Sequence, residues 1–248
     1  MGTVEGVVGE MGSLMILAIE TAVEQVGVAV ADHRGVVAEA SLASEKRHAE
    51  SLAPMIAFVL DQAALVPADL SLVAVDVGPG LFTGMRVGIA AAQSLAWALD
   101  IPVAPVCSLD ALVLNVEWSE DAVVTAIDAR RGEVYWCLHK VRPSGAGWVR
   151  VTEPVVTSPE DLAVHLADRA EPVTCVGTGI ERHRDIFEAV PFARCAESAA
   201  RYPRASAVAQ LGRAIVAADT AVAADAVVPL YLRAPDAEIN WLTRDGAR

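Results

Sequence analysis

The segment Gly78-Pro-Gly-Leu-Phe-Thr-Gly-Met-Arg-Val-Gly88 holds the densest group of residues able to do chemistry. An apolar run leads into it, and Gly78 and Gly80 permit a turn that other residues resist. Thr83 is placed to cap a following helix, whose unpaired N–H groups favour an anion, and Arg86 falls in the first turn. Gly78, Gly80, Thr83 and Arg86 are therefore a candidate anion or nucleotide site, a cradle for phosphate or an adenylate. The segment also reads as packing. Gly84 and Gly88 stand four apart with Ala91 and Ala92 beyond, a small-residue face that another helix could approach closely. We take the packing reading first and keep the anion site beside it.

Other reactive groups are sparse. Glu20 and Asp128 each end an apolar run and are candidate acids or bases. His48 and Glu50 are two apart, which on a helix does not place them on one face. His33, His139, His165 and His183 are scattered, with no ligand pair at helical spacing. Cys107, Cys137, Cys175 and Cys195 form no C-x-x-C pair and read as buried free thiols. Lys46 and Lys140 are the only lysines, neither in a glycine-rich setting, and neither a phosphate loop nor a Gly-x-Ser-x-Gly elbow occurs.

These residues sit in a repeated order of elements. Leu14–Ile19, Val26–Val30 and Val36–Ser41 read as an antiparallel meander. A helix follows over His48–Ala64, then a strand over Leu70–Val77 apolar enough to be buried on both faces. A helix is expected over Thr83–Leu99, an edge strand over Ile101–Val106, and a helix from Leu109 capped by Ser108. The order begins again at Ala122 with strands over Val123–Ile127, Val134–Leu138 and Trp148–Val151. Ser158-Pro-Glu-Asp161 signals a helix start. Pro172–Val176 is a strand, and helices follow over Glu181–Val190 and Ser206–Thr220. An acid closes the first strand of each copy. This is the order of the α/β duplicated actin-like, sugar-kinase-like fold, in which the first hairpin turns of the two halves face a nucleotide. The expected division is a leader over 1–13, subdomains over 14–118 and 119–233, and a tail over 234–248.

The 248 residues suffice for a large core, and 54 % apolar against 21 % charged residues argues for a globular chain. A net charge of −13 repels phosphate backbones, so nucleic acid would need a partner's positive surface. No apolar run reaches the ~18–20 residues of a membrane span. The first basic residue is Arg34, which does not suit a signal peptide, so a cytoplasmic location is expected. The helices from His48 and Thr83 are apolar nearly all round. Leu52, Met55, Ile56, Val59, Gly84, Met85, Gly88, Ile89 and Ala92 are the candidate partner interface.

Leu17-Ala-Ile-Glu-Thr21, His48-Ala-Glu-Ser-Leu52, the Gly78–Gly88 block, Ser108-Leu-Asp-Ala-Leu112, Asp128-Ala-Arg-Arg-Gly-Glu-Val-Tyr135 and Pro229-Leu-Tyr-Leu-Arg233 resemble the bacterial TsaB family of tRNA threonylcarbamoyladenosine biosynthesis proteins. Leu81 departs from that family's usual Ser. The resemblance implies a non-catalytic paralogue of TsaD. In TsaD a His-x-x-x-His pair binds metal; Ser108 and Leu112 stand at those positions here, so no metal and no catalytic residue are expected. It implies a cytoplasmic scaffold that pairs with a TsaD-like subunit and a TsaE-like ATPase, meets tRNA only through the complex, and forms a homodimer when alone. It implies no cofactor of its own, with ATP or ADP at the interface with the TsaD-like subunit as the one candidate. A small-molecule kinase of the same fold and a metallopeptidase-like enzyme are the alternatives.

Overall fold

The computed structural model describes residues 14–43, 48–116, 120–142 and 147–233. The expected leader and tail lie outside the described residues, except that Leu14 onward is placed. Strand β1 (Ile16–Glu20) runs antiparallel to β2 (Gln25–Asp32), and β2 to β3 (Gly35–Ala43). Next come α1 (His48–Gln62), β4 (Leu72–Gly78), α2 (Phe82–Leu99), β5 (Val103–Cys107) and α3 (Ser108–Val113). The sheet order is β3-β2-β1-β4-β5, with β4 parallel to β1 and β5 to β4. The one proline of the fifth strand, Pro105, is tolerated because the strand is an edge.

The second half repeats the plan with β6 (Ala122–Arg130), β7 (Glu133–Val141), β8 (Trp148–Arg150), β9 (Val155–Thr157), α4 (Pro159–Arg169), β10 (Val173–Val176), α5 (Thr178–Arg182), α6 (Arg184–Glu188), β11 (Ala193–Cys195) and α7 (Ala205–Ala217). Its order is β11-β10-β6-β7-β8, with β9 also pairing β7. β6 and β7 correspond to β1 and β2, and the parallel β10 and β11 to β4 and β5. This is the duplicated α/β fold that the element order predicts.

Three local expectations change. The helix expected over Glu181–Val190 is two short helices broken at His183, whose φ of −120° and ψ of 33° leave the helical region. α2 begins at Phe82 with Leu81 as N-cap, so Thr83 lies inside the helix and caps nothing. Ser108 is the first residue of α3 rather than its cap, because its hydroxyl is drawn to Asp76. Ser158 does cap α4, accepting the Asp161 N–H at 3.0 Å.

Every residue of β1 and β4 is buried, which requires cover on both faces of the first sheet. α1 and α2 supply one cover, with Leu52, Ile56, Val59, Met85, Ile89 and Ala92 meeting Leu17, Ile19, Val73 and Val75. α7 supplies the other through Ala205, Ala207, Val208 and Ala209. It lies so close that a Cβ on Gly212 would come within 2.6 Å of Ala74 Cβ. The last helix thus belongs by sequence to the second half and by packing to the first sheet.

Candidate functional site

Glu20 and the Gly-rich segment come together where β1 ends. β1 and β4 are parallel, with Ile19 opposite Val75, so Glu20 and Asp76 emerge side by side. Both are fully buried. Glu20 Oε1 accepts the Ala22 N–H at 2.7 Å; Asp76 Oδ1 accepts the Gly78 N–H at 2.7 Å and the Ser108 hydroxyl at 2.5 Å. The remaining oxygens, Glu20 Oε2 and Asp76 Oδ2, are buried without a hydrogen-bond partner. Burial, then the neighbouring Asp76 charge, pushes the Glu20 carboxyl well above the ordinary range; burial likewise raises Asp76.

The Gly-rich segment wraps this strand end. Gly78 has a φ of +102°, which its lack of a Cβ allows. The Leu81 N–H donates to the Ala22 carbonyl at 2.7 Å, and the Thr21 hydroxyl to the Gly84 carbonyl at 2.9 Å. A Cβ on Gly84 would stand 2.1 Å from the Thr21 carbonyl oxygen, and one on Gly88 would stand 2.2 Å from Thr21 Oγ1. The small-residue face therefore receives the turn after β1, not a helix of another protein.

That corrects the expected interface. Leu52, Ile56, Val59, Gly84, Met85, Gly88, Ile89 and Ala92 are all buried within this chain, and Met55 is half-buried. They are the core-facing stripes of their helices. The outer stripes are Ala53, Pro54, Ala57 and Phe58 on α1, and Ala90, Ser94, Trp97 and Ala98 on α2. Phe58 is 56 % and Trp97 85 % exposed, and no charge occurs between Arg86 and Asp100. A helix facing water normally turns charge outward, and the middles of these two stripes carry none.

The candidate anion residues do not converge. The Gly78 and Leu81 amides are already bonded within the chain, and Thr83 is exposed. Arg86 lies 4.0 Å over the Phe82 ring and donates from Nε to Tyr231 Oη at 3.0 Å. Phe82 and Tyr231 stack at 5.4 Å. Arg86 thus ties down the segment after α7, which then crosses to the second half, where Arg233 pairs with Glu133 and donates to the Ala129 carbonyl at 3.1 Å.

The two first-hairpin turns face each other, as the fold requires, but they touch. Arg130 donates to Glu24 at 2.6 Å, and Val23 packs in one cluster with Ile127 and Ala129. Asp128 is held by Arg182 at 3.0 Å and Arg130 at 3.6 Å. His48, expected only at a helix start, donates from Nε2 to the Val23 carbonyl at 2.7 Å and fixes the same turn. At the TsaD-like ligand positions Ser108 is engaged with Asp76, and Leu112 is buried beside Val23 and Ile127. Neither offers a metal donor.

One grouping escapes the sequence reading. Asp110 on α3 meets His139 on β7, with Nε2 2.9 Å from Oδ1, and Arg150 on β8 donates to both carboxylate oxygens. Burial opposes ionisation of Asp110, but the bonds from His139 and Arg150 hold its carboxyl below the ordinary range. Cys137 lies on the same strand face as His139, its thiol pushed up by burial to about 12, which disfavours a thiolate nucleophile. The signal was the two-residue strand spacing of Cys137 and His139, where helical spacing shows nothing.

A duplicated, actin-like α/β protein with its hairpin turns closed on each other is the class that fold and site define. The family described as "TsaD: tRNA N6-adenosine threonylcarbamoyltransferase" matches residues 19–241. The Bacillus subtilis tRNA threonylcarbamoyladenosine biosynthesis protein TsaB is 32 % identical over 231 residues, covering 92 % of this chain and 98 % of that protein. The Haemophilus influenzae TsaB is 30 % identical, covering 93 % and 97 %. A Pseudomonas aeruginosa structure described as similar to the peptidase YeaZ superposes with a TM-score of 0.78 at 30 % identity, covering 89 % of this chain and all of that one. The chain belongs to the TsaB family, within the wider TsaD-like group.

Proposed function

We propose that this chain is a non-catalytic scaffold in the synthesis of tRNA threonylcarbamoyladenosine, the biosynthesis for which its TsaB relatives are named. It pairs with a TsaD-like catalytic subunit through the outer faces of α1 and α2. The observation that carries this reading is the pair of outward helix faces bearing Phe58 and Trp97, which hold no charge from Ser51 to Leu60 on α1 or from Val87 to Leu99 on α2. A TsaE-like ATPase completes the assembly. Acceptor tRNA sits on the partners, in keeping with the net charge of −13. The assembly is cytoplasmic; among the described residues no helix is long and apolar enough to cross a membrane. Alone, the chain covers the same face with a second copy. ATP or ADP, where it binds, sits between this chain and the TsaD-like subunit rather than in the hairpin cleft.

The absence of catalysis is supported by the state of the carboxylates a kinase would use. Glu20 is fully buried beside Asp76, and burial with that neighbouring charge holds its carboxyl well above the ordinary range; Asp128 is paired with two arginines. Against a metallopeptidase-like enzyme stands Leu112, an apolar side chain buried beside Val23 and Ile127 where that reading needs a metal ligand. The test is reconstituted threonylcarbamoyl transfer to tRNA with and without this chain, beside ATP turnover by the chain alone. The proposal expects transfer to depend on the chain and the chain alone to turn over nothing. Turnover by the isolated chain, abolished by Asp128→Asn, would establish the kinase reading instead.

A further inference from the structure

Away from the partner face, three side chains of ligand type meet where α3 crosses β7. Asp110, Cys137 and His139 each offer a donor atom, and these atoms lie within 4.8 Å of one another. Cys137 and His139 are buried, and Asp110 is half-buried. We propose that Asp110 Oδ1, Cys137 Sγ and His139 Nε2 form a zinc-binding site, with water as fourth ligand.

The geometry is close to what the ion needs. Zinc bonds of about 2.0–2.3 Å in a tetrahedron place donors about 3.3–3.8 Å apart. His139 Nε2 is already 3.5 Å from Cys137 Sγ. It is 2.9 Å from Asp110 Oδ1, so this pair must open by less than 1 Å. Thiolate, imidazole and carboxylate together suit zinc rather than magnesium or calcium, which take oxygen alone.

The surroundings supply the rest. Arg150 holds both carboxylate oxygens, Nε on Oδ1 at 3.0 Å and Nη2 on Oδ2, as an outer partner that keeps a ligating carboxylate in place while a second lone pair of Oδ1 faces the metal. Thr125 Oγ1 lies 3.5 Å from Cys137 Sγ and steadies the sulfur. A cavity of about 510 Å³, lined by Cys107, Asp110, Arg150 and the apolar side of α7, reaches the Asp110 edge of the group. On binding, the Cys137 thiol proton leaves to solvent, and the ring hydrogen of His139 moves from Nε2 to Nδ1, which lies 3.8 Å from Sγ. Oδ1 exchanges the imidazole N–H for the metal. The site is distinct from Ser108 and Leu112 and departs from the sequence expectation of a metal-free chain.

The probe is cobalt(II), titrated into full-length protein stripped with chelator under reducing conditions. The expected result is an intense tetrahedral d–d spectrum with a thiolate-to-cobalt charge-transfer band, saturating at one ion per chain and erased by zinc. Cys137→Ser should lose the charge-transfer band, and His139→Ala should weaken cobalt by at least tenfold. Asp110→Asn, at a half-buried position, should weaken it similarly while far-ultraviolet circular dichroism stays native. Should the buried variants fail to fold, X-ray absorption on the wild-type zinc form decides: one sulfur with nitrogen and oxygen scatterers is expected. Wild-type protein without a thiolate band, a band that survives Cys137→Ser, or a zinc shell without sulfur would overturn the site.

Discussion

Thr21 and Gly84 are separated by 63 positions, yet the Thr21 hydroxyl donates to the Gly84 carbonyl at 2.9 Å, and no Cβ fits between them. This contact locks the turn after the first strand onto α2. Gly84→Ala should therefore destabilise the chain, although alanine is the better helix former by about 0.8–1 kcal/mol. A Cβ placed 2.1 Å from a backbone oxygen forces main chain apart, and overpacking of this kind costs about 1–3 kcal/mol. Urea unfolding should show a lower midpoint. A variant as stable as wild type would mean the turn yields freely.

The Glu20–Asp76 pair gives a pH dependence of defined sign. Glu20 keeps its proton in the folded protein, while its unfolded counterpart ionises near pH ~4.3. The folded state then binds more protons than the unfolded state. Stability is greatest below the unfolded value and falls by about 1.4 kcal/mol per pH unit per proton until the raised folded value is passed. Glu20→Gln removes the titrating group. Its stability curve should be flatter than wild type from about pH 5 upward. Parallel curves for the two proteins would refute a proton held on Glu20.

The two sides of α1 should respond in opposite ways. Val59 is fully buried, so Val59→Ala should cost about 1–3 kcal/mol of unfolding free energy. Phe58 is 56 % exposed, and Phe58→Glu should leave thermal stability within about 0.5 kcal/mol.

Self-association should follow the outer faces. Wild-type protein at high concentration is expected to sediment as a dimer, and Trp97→Glu to shift it to monomer with unchanged circular dichroism. A wild type that stays monomeric, or a Trp97→Glu variant that still dimerises, would place any contact elsewhere.

Much of the fold was legible because its signals are local. The Ser158 cap, the apolar runs of β1 and β4 and the start of α1 at His48 are each fixed by a few adjacent residues. β9 and β11 escaped notice because three residues carry no periodicity and are made strands by their neighbours. The small-residue face of α2 was readable, but not what approaches it: Gly88 meets Thr21 through folding alone. The residues expected at an interface lie on the core-facing stripes of α1 and α2. With both faces of α1 apolar, sequence cannot say which stripe meets the sheet, and the larger aliphatic residues turned out to be the core. Asp110, His139 and Arg150 come from three elements, a grouping no linear spacing displays.

The docking account is tested most directly by titrating Phe58→Glu, Trp97→Glu double-substituted protein against a TsaD-like subunit, measuring affinity and threonylcarbamoyl transfer together. Each buried anchor lost from an interface centre costs about 1.4 kcal/mol or more, a tenfold change in Kd. The account predicts at least a hundredfold weaker pairing, with transfer lost at limiting protein and restored at saturation. Unchanged affinity would contradict it, as would normal pairing with transfer that stays lost at every concentration.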